Sequence, residues 1–160
     1  MKKWIIFSTV FLVSLSLVIS ILVLWKADAP FNEMEEKAEQ LALVTKSLAI
    51  VSDSYTYNGN KPYVTVVGVD EYGKEKAIFV PITLEENAIQ EVFLQDGITE
   101  EQALAVLHDE ATVKKILHTK LGYEEQGAVW EITYLNNTDQ LNYVYILFED
   151  GQWWKRILNL

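Results

Sequence analysis

The residues best able to do chemistry are few. The chain has two histidines, His108 in "LHDEA" and His118 in "ILHTK". On one helix, ten positions would turn them about 280° apart, so they would not share a face. There is no H-E-x-x-H pattern to hold zinc. The plainer reading is one solvated helix residue and one strand residue. Carboxylates come in adjacent pairs: Glu35-Glu36, Glu85-Glu86, Glu100-Glu101 and Glu124-Glu125. Glycoside hydrolysis needs two carboxyls facing each other across a cleft, one with a raised pKa. Neighbours in sequence at helix starts and turns do not supply that; capping and solubility explain them. The serines that follow the apolar N-terminus are Ser47, Ser52 and Ser54, and none sits in G-x-S-x-G or S-x-x-K. With seven glycines, nearly all at turns, there is no phosphate-cradling loop. No catalytic residue, metal site, nucleotide site or cofactor is expected, and the chain reads as a non-enzyme.

Charge and composition narrow the class further. From Ala27 onward the chain carries 10 basic residues against 23 acidic ones, a net charge of −13. Such a surface repels phosphate backbones, which argues against nucleic-acid binding. There are no cysteines, which removes disulfides, thiolate metal sites and cysteine nucleophiles together. Half the residues are apolar and 12% are aromatic, enough for a packed core and too many for disorder.

The elements that would position any site begin with "MKKWIIFSTVFLVSLSLVISILVLWKADAP". Trp4 to Trp25 is 22 residues without a charge. As a helix it spans roughly 33 Å, enough for a hydrocarbon core of about 30 Å. The hydroxyls of its serines and threonine can bond back to helix carbonyls. Trp4 and Trp25 bracket the run as interfacial aromatics do, and Lys2 and Lys3 favour an inside N-terminus. The rival reading is a cleaved signal, because Ala27-Asp28-Ala29 fits a small-x-small site. Against it, the apolar run is too long and Pro30 is poorly suited to the position after the cut. The expected layout is residues 1–3 cytoplasmic, 4–25 transmembrane, 26–30 a linker, and the remainder outside the cell in both readings.

After Pro30, "FNEMEEKAEQLALVTKSLAIV" reads as a helix of about five turns, capped by Asn32, with Met34, Ala38, Leu41, Ala42, Leu48 and Ala49 on one stripe. Strand grammar follows, with Tyr63–Val67 and Ala77–Val80 β-rich, "AIQEVFLQ" a further short strand, and turns at 58–60 and 71–74. Asp96-Gly97 marks a boundary. Thr99 and Gln102 form a capping box for a second helix whose buried side is Ala103, Leu104, Val106, Leu107 and Ala111. "VKKILHTKL" is ambiguous between helix and strand. "AVWEITYL", "LNYVYILF" and "QWWKRIL" are strands, separated by turns at 136–139 and 149–151. Asn136-Asn137-Thr138 matches a glycosylation pattern but is explained more simply by the hairpin turn. Alternation puts Trp130, Ile132 and Tyr134 on one face and sends Trp153 and Trp154 to opposite faces. One of those last two is a candidate partner contact; covering a seam between the halves is the plainer alternative. The order helix-then-strands occurs twice, giving an α+β chain whose halves, 31–95 and 96–160, are each too small to bury much alone and should pack together.

With "YVTVVGVDEYG", "DGITEEQA", "KLGYEEQGAVWEITY", "NYVYILFEDG" and "WWKRI" in this order behind one apolar segment, the chain resembles the TseB-like (YpmB) cell-wall elongation regulator family of low-GC Gram-positive bacteria. The second half is also similar to the PepSY domain. The resemblance implies a membrane-tethered pair of cystatin-like or PepSY-like modules outside the cell. It implies a role in peptidoglycan elongation through association with a penicillin-binding protein, with no catalytic residues to carry over. The PepSY likeness implies an alternative, a protease inhibitor or chaperone-like module. The resemblance also suggests that "VKKILHTKL" is a strand, with Lys115, Leu117, Thr119 and Leu121 sharing a face.

Overall fold

The computed structural model describes residues 2–160; the side chains of residues 24–31 lie outside that description. So Trp25, as a bracketing aromatic, and the Ala27-Asp28-Ala29 cleavage pattern fall on side chains that are not described. The chain divides into two compact units, Met1–Met34 and Glu35–Leu160.

The N-terminal unit is helical. Lys2–Val23 is long and apolar enough to cross a membrane, and its large side chains are exposed along the whole length. Thr9 Oγ1 donates to the Ile5 carbonyl at 2.9 Å, Ser14 Oγ to Phe11 at 2.9 Å and Ser20 Oγ to Ser16 at 2.8 Å. These three hydroxyls of the run are thereby satisfied within the helix, as a lipid environment favours. The helical element α1 is Lys2–Val44, so the sequence-based break at 26–30 and the cap at Asn32 do not appear as an interruption. Pro30 forfeits one helical N–H bond, and the helix formers Glu33, Glu35, Glu36, Lys37 and Ala38 carry the element onward.

In the second unit, the helix also ends earlier than the apolar stripe predicts. Lys46 takes a left-handed φ of 58°, and Leu48 N–H bonds to the Ala42 carbonyl at 3.1 Å. Leu48 is buried, but from the turn, and Ala49 is exposed. The β-branched pair Ile50-Val51 then opens a strand rather than extending the helix. The first sheet is a meander of β1 (Ile50–Asn58), β2 (Pro62–Val69), β3 (Glu75–Pro81) and β4 (Gln90–Phe93), in that order. One face carries Val64, Val66, Ile78 and Val80, all fully buried. Ser54 and Thr56, paired with Val66 and Val64, share that face. Both are held by α1: Glu39 accepts from Ser54 Oγ, and Glu35 Oε1 accepts from Thr56 N at 2.8 Å. The opposite face presents Tyr55, Tyr57, Thr65, Ala77 and Phe79.

One-turn 3₁₀ helices at Glu86–Ala88 and Leu94–Asp96 flank β4, and α2 (Glu100–Glu110) follows. Its capping box is the one the sequence predicts: Gln102 N donates to Thr99 Oγ1, and Thr99 N to Gln102 Oε1. The second sheet is again a meander, β5 (Val113–Glu124), β6 (Gly127–Asn136), β7 (Leu141–Leu147) and β8 (Trp153–Ile157). α2 sets Ala103 and Leu107 against Ile132, Tyr134, Val144 and Ile146 on one face of this sheet. The segment 113–121 is strand, but it does not keep the expected alternation. Register breaks between Val113/Lys115 and Ile116/His118 leave Leu117 exposed while Leu121 is buried, because each bulge inserts a residue and reverses the faces beyond it.

The two sheets share a core. Ala77 and Phe79 of the first pack with Leu121 and Phe148 of the second, and Tyr57 packs with Val129 and Tyr145. Each half thus covers one sheet face with a helix and the other against its neighbour.

Candidate functional site: the seam between the sheets and its grooves

The seam is built from polar atoms as well as hydrocarbon. The Tyr55 hydroxyl donates to the Leu121 carbonyl at 3.2 Å and accepts from Leu121 N at 3.0 Å. Thr65 Oγ1 donates to the same carbonyl at 2.9 Å. Lys120 Nζ reaches the Thr56 carbonyl at 2.9 Å. Glu124, buried at the end of β5, accepts from the Tyr57 hydroxyl at 2.9 Å and from Asn60 N at 3.2 Å, tying down the β1–β2 turn. Burial pushes the Tyr55 phenol up to about 12. Burial, and then the charge of Glu124, raise Tyr57 further.

The residues picked out for chemistry do not converge. His108 is exposed on α2. His118, on β5, lies with Nε2 2.9 Å from Thr133 Oγ1 and 3.4 Å from Glu131 Oε1. Glu100 and Glu101 sit in the first turn of α2, where helix-end N–H groups favour them. Glu35 accepts from Thr56 within β1, and Ser54 is bound to Glu39. The reading of Glu124-Glu125 as a solubility pair holds for Glu125, which is exposed, and fails for Glu124. Turn position decides it: Glu124 is the last residue of β5, facing Tyr57, and Glu125 has left the strand. Glu131 is a second buried carboxylate that residue typing passed over. Its signal was the alternation Val129-Glu131-Thr133, which places it opposite Trp130, Ile132 and Tyr134. Among the described residues no cluster of His, Asp and Glu is arranged to hold a metal ion.

Trp153 and Trp154 do point to opposite faces, and both are half-buried. Trp153 packs on the α2 side with the Arg156 guanidinium 3.6 Å over its ring. Trp154 lies on the other side, edge-on to Tyr145 at 5.8 Å. Trp130 Nε1 donates to the Ile98 carbonyl at 2.9 Å and so anchors the connector between the sheets.

Two open grooves flank that connector, and Phe148 lines both. One, of about 700 Å³, runs past Val69, Leu94, Ile98 and Trp130. The other, of about 410 Å³, lies along β4 and is floored by Tyr123, Ala128, Leu147 and Phe148.

These features define a class: two helix-covered antiparallel sheets joined by a polar seam, in a chain that begins with one apolar helix of single-pass length. A model of the cell wall elongation regulator TseB-like domain matches residues 37–81. A Bacillus subtilis (strain 168) protein named "probable cell wall elongation regulator TseB" is 30% identical over 158 residues, 98% of each chain. The solved structure of the YpmB protein from Bacillus subtilis is similar with a TM-score of 0.63 and 31% identity, over 69% of this chain and 86% of that one. The chain belongs to the TseB-like cell wall elongation regulator family.

Proposed function

We propose that this protein is a non-enzymatic binding protein, held at the outer face of the cell membrane by its N-terminal helix, that regulates cell-wall elongation by associating with a penicillin-binding protein. The observation that carries this reading is the span of the likeness. It runs over 98% of the chain, apolar helix included, to a relative named as an elongation regulator. Lys2 and Lys3, before the apolar run, support a cytoplasmic N-terminus and an extracellular Glu35–Leu160 unit. Inertness is supported by the fate of the polar side chains along the seam: Tyr55, Tyr57, Thr65 and Glu124 are spent on one another and on backbone. Confinement to one membrane raises the effective concentration of a membrane-bound partner, so a small interface suffices. Trp153 and Trp154 keep part of their rings at the surface and are proposed contacts.

The test is copurification from detergent-solubilised membranes of the native host. Recovery of a transpeptidase supports the proposal, and loss of it in Trp153→Ala or Trp154→Ala would place the contact. Recovery of a protease instead would favour the PepSY-type inhibitor reading. Product release from purified peptidoglycan by the isolated protein would overturn the non-enzymatic part. Protease added to intact protoplasts should digest the Glu35–Leu160 unit if it lies outside.

A further inference from the structure

We infer that the outer edge of β4 is a docking site for an extended, basic segment of a protein partner, which adds to the first sheet as a fifth strand. This deepens the proposed function, resting on it for the existence of a membrane-confined protein partner, and adds a second surface to the Trp153 and Trp154 contacts proposed there.

The two sheets present four edge strands, β1, β4, β5 and β8. An edge strand turns every second N–H and C=O away from its neighbour, and proteins blunt such edges with charge, bulges or covering groups. The β1 edge is closed at Thr56, whose N–H goes to Glu35 and whose carbonyl takes Lys120. The β5 edge is closed at Leu121 by Tyr55 and Thr65, and its other half carries Lys114, Lys115 and two register breaks. The β8 edge carries Lys155 and Arg156, and its pairing breaks between Tyr145 and Ile146. β4 differs. Gln90–Phe93 pairs with β3 in unbroken register, contains no Lys, Arg or Pro, and among the described residues has β3 as its one strand neighbour.

Beside this open edge lies the groove of about 410 Å³. An added strand sends alternate side chains to one face, and the groove offers those side chains an apolar floor at Tyr123, Leu147 and Phe148. Charge selects the occupant. The lining includes Glu91, Asp96 and Glu149 and no Lys or Arg. Glu91 is neutralised by Lys76 at 3.1 Å, whereas Asp96 and Glu149 are exposed and make no ion pair among the described residues. A segment alternating apolar and basic residues meets both demands. Only four residues of β4 are available for pairing, so the contact is weak in solution and gains strength from tethering.

The probe is a fluorescein-labelled decapeptide of alternating lysine and valine, titrated onto the full-length protein in zwitterionic nanodiscs, with empty nanodiscs as blank. Binding should slow amide hydrogen exchange at residues 90–93. Alternate N-methylation of the peptide, which removes strand hydrogen bonds, and replacement of its lysines by glutamate should each weaken binding about tenfold or more. The double variant Asp96→Lys, Glu149→Lys should weaken it about tenfold, while Asp109→Lys on exposed α2 should leave it unchanged. Equal binding of the N-methylated peptide, or indifference to the Asp96/Glu149 change, would overturn the inference and indicate diffuse attraction to an acidic chain. A transpeptidase that still copurifies with the Asp96→Lys, Glu149→Lys protein would sink this surface and leave the proposed function standing. Peptide protection at β4 with no transpeptidase recovered would do the reverse.

Discussion

The Tyr57 hydroxyl donates to Glu124 Oε1 at 2.9 Å, joining residues that lie 67 apart in the chain, and both side chains are buried where they meet. Replacing Glu124 by Ala leaves the buried Tyr57 phenol without its acceptor, while the N–H of exposed Asn60 turns to water. The expected cost is about 1–3 kcal/mol. Tyr57→Phe leaves the carboxylate still bonded to Asn60 N and should cost about 1–2 kcal/mol. Urea unfolding of the two single variants and the double variant measures the coupling; additive effects would show that the pair does not join the sheets.

Gly122 sits against the same ring. A Cβ placed there would lie 2.3 Å from Tyr57 Cε2 and Cζ, far inside contact distance. Gly122→Ala must displace an aromatic that is fully buried and hydrogen-bonded, so it should destabilise by about 1–3 kcal/mol or more. Gly73→Ala, at a turn with nothing within 4 Å but a φ of +76°, should cost only about 1 kcal/mol of backbone strain. Melting curves of the two variants give the ranking.

Alkaline pH should loosen the seam. The phenol of Tyr55 is pushed up to about 12 from 10.0 by burial. Because the folded-state value is the higher one, the folded protein holds this proton more tightly. Its contribution is complete below pH 10 and is lost as pH rises towards 12. The loss is on the order of 2–3 kcal/mol for this group alone. Stability measured from pH 9 to 12 should fall, and the fall should be shallower in Tyr55→Phe. An equal slope in the variant would remove Tyr55 from the account.

These seam residues mark where the sequence stops being legible. Periodicity located both helices, and it placed the strands through Ala77–Val80, Trp130–Tyr134 and Leu141–Leu147, because alternation and helix stripes are local properties; Phe148, expected to end the last of these strands, lies instead in the turn after β7 and packs with Ala77 and Leu121. The capping box at Thr99 and Gln102 was readable for the same reason. The boundaries at Val44 and Ile50 were not, since the turn rests on a left-handed Lys46 and a bond from Leu48 to Ala42. Nor were the bulges in β5, which depend on pairing with β6. Glu124 stood out in sequence only as half of a solvated turn pair and Tyr57 not at all; only the packing of two different sheets makes them partners.

The apolar N-terminal helix yields a prediction of its own. Leu12 and Leu15 lie near the middle of Lys2–Val23. Arginine near the centre of a spanning helix costs about 2.5–3.5 kcal/mol on insertion scales. Leu12→Arg combined with Leu15→Arg should therefore shift the protein from the carbonate-resistant membrane pellet to the soluble fraction. Ser14→Ala should not, because the Ser14 hydroxyl is already satisfied by the Phe11 carbonyl. Retention of the double-arginine chain in the pellet would count against lipid burial of this helix.

The connector between the sheets is held from both sides. Ile98 N donates to the Phe148 carbonyl at 2.7 Å, and the Ile98 carbonyl accepts from Trp130 Nε1 at 2.9 Å. Trp130→Phe keeps an aromatic ring but removes the indole donor, at an expected cost of about 0.5–1.5 kcal/mol. The more telling effect is local. With one of its two anchors gone, the Leu94–Thr99 segment should exchange its amides faster while α2 and β6 keep their protection. Since this segment separates the two grooves, the same variant should weaken transpeptidase recovery if either groove is the contact. Faster exchange throughout the Glu35–Leu160 unit would instead show that Trp130 supports the whole core, and normal exchange at 94–99 would show that the Phe148 bond holds the connector alone.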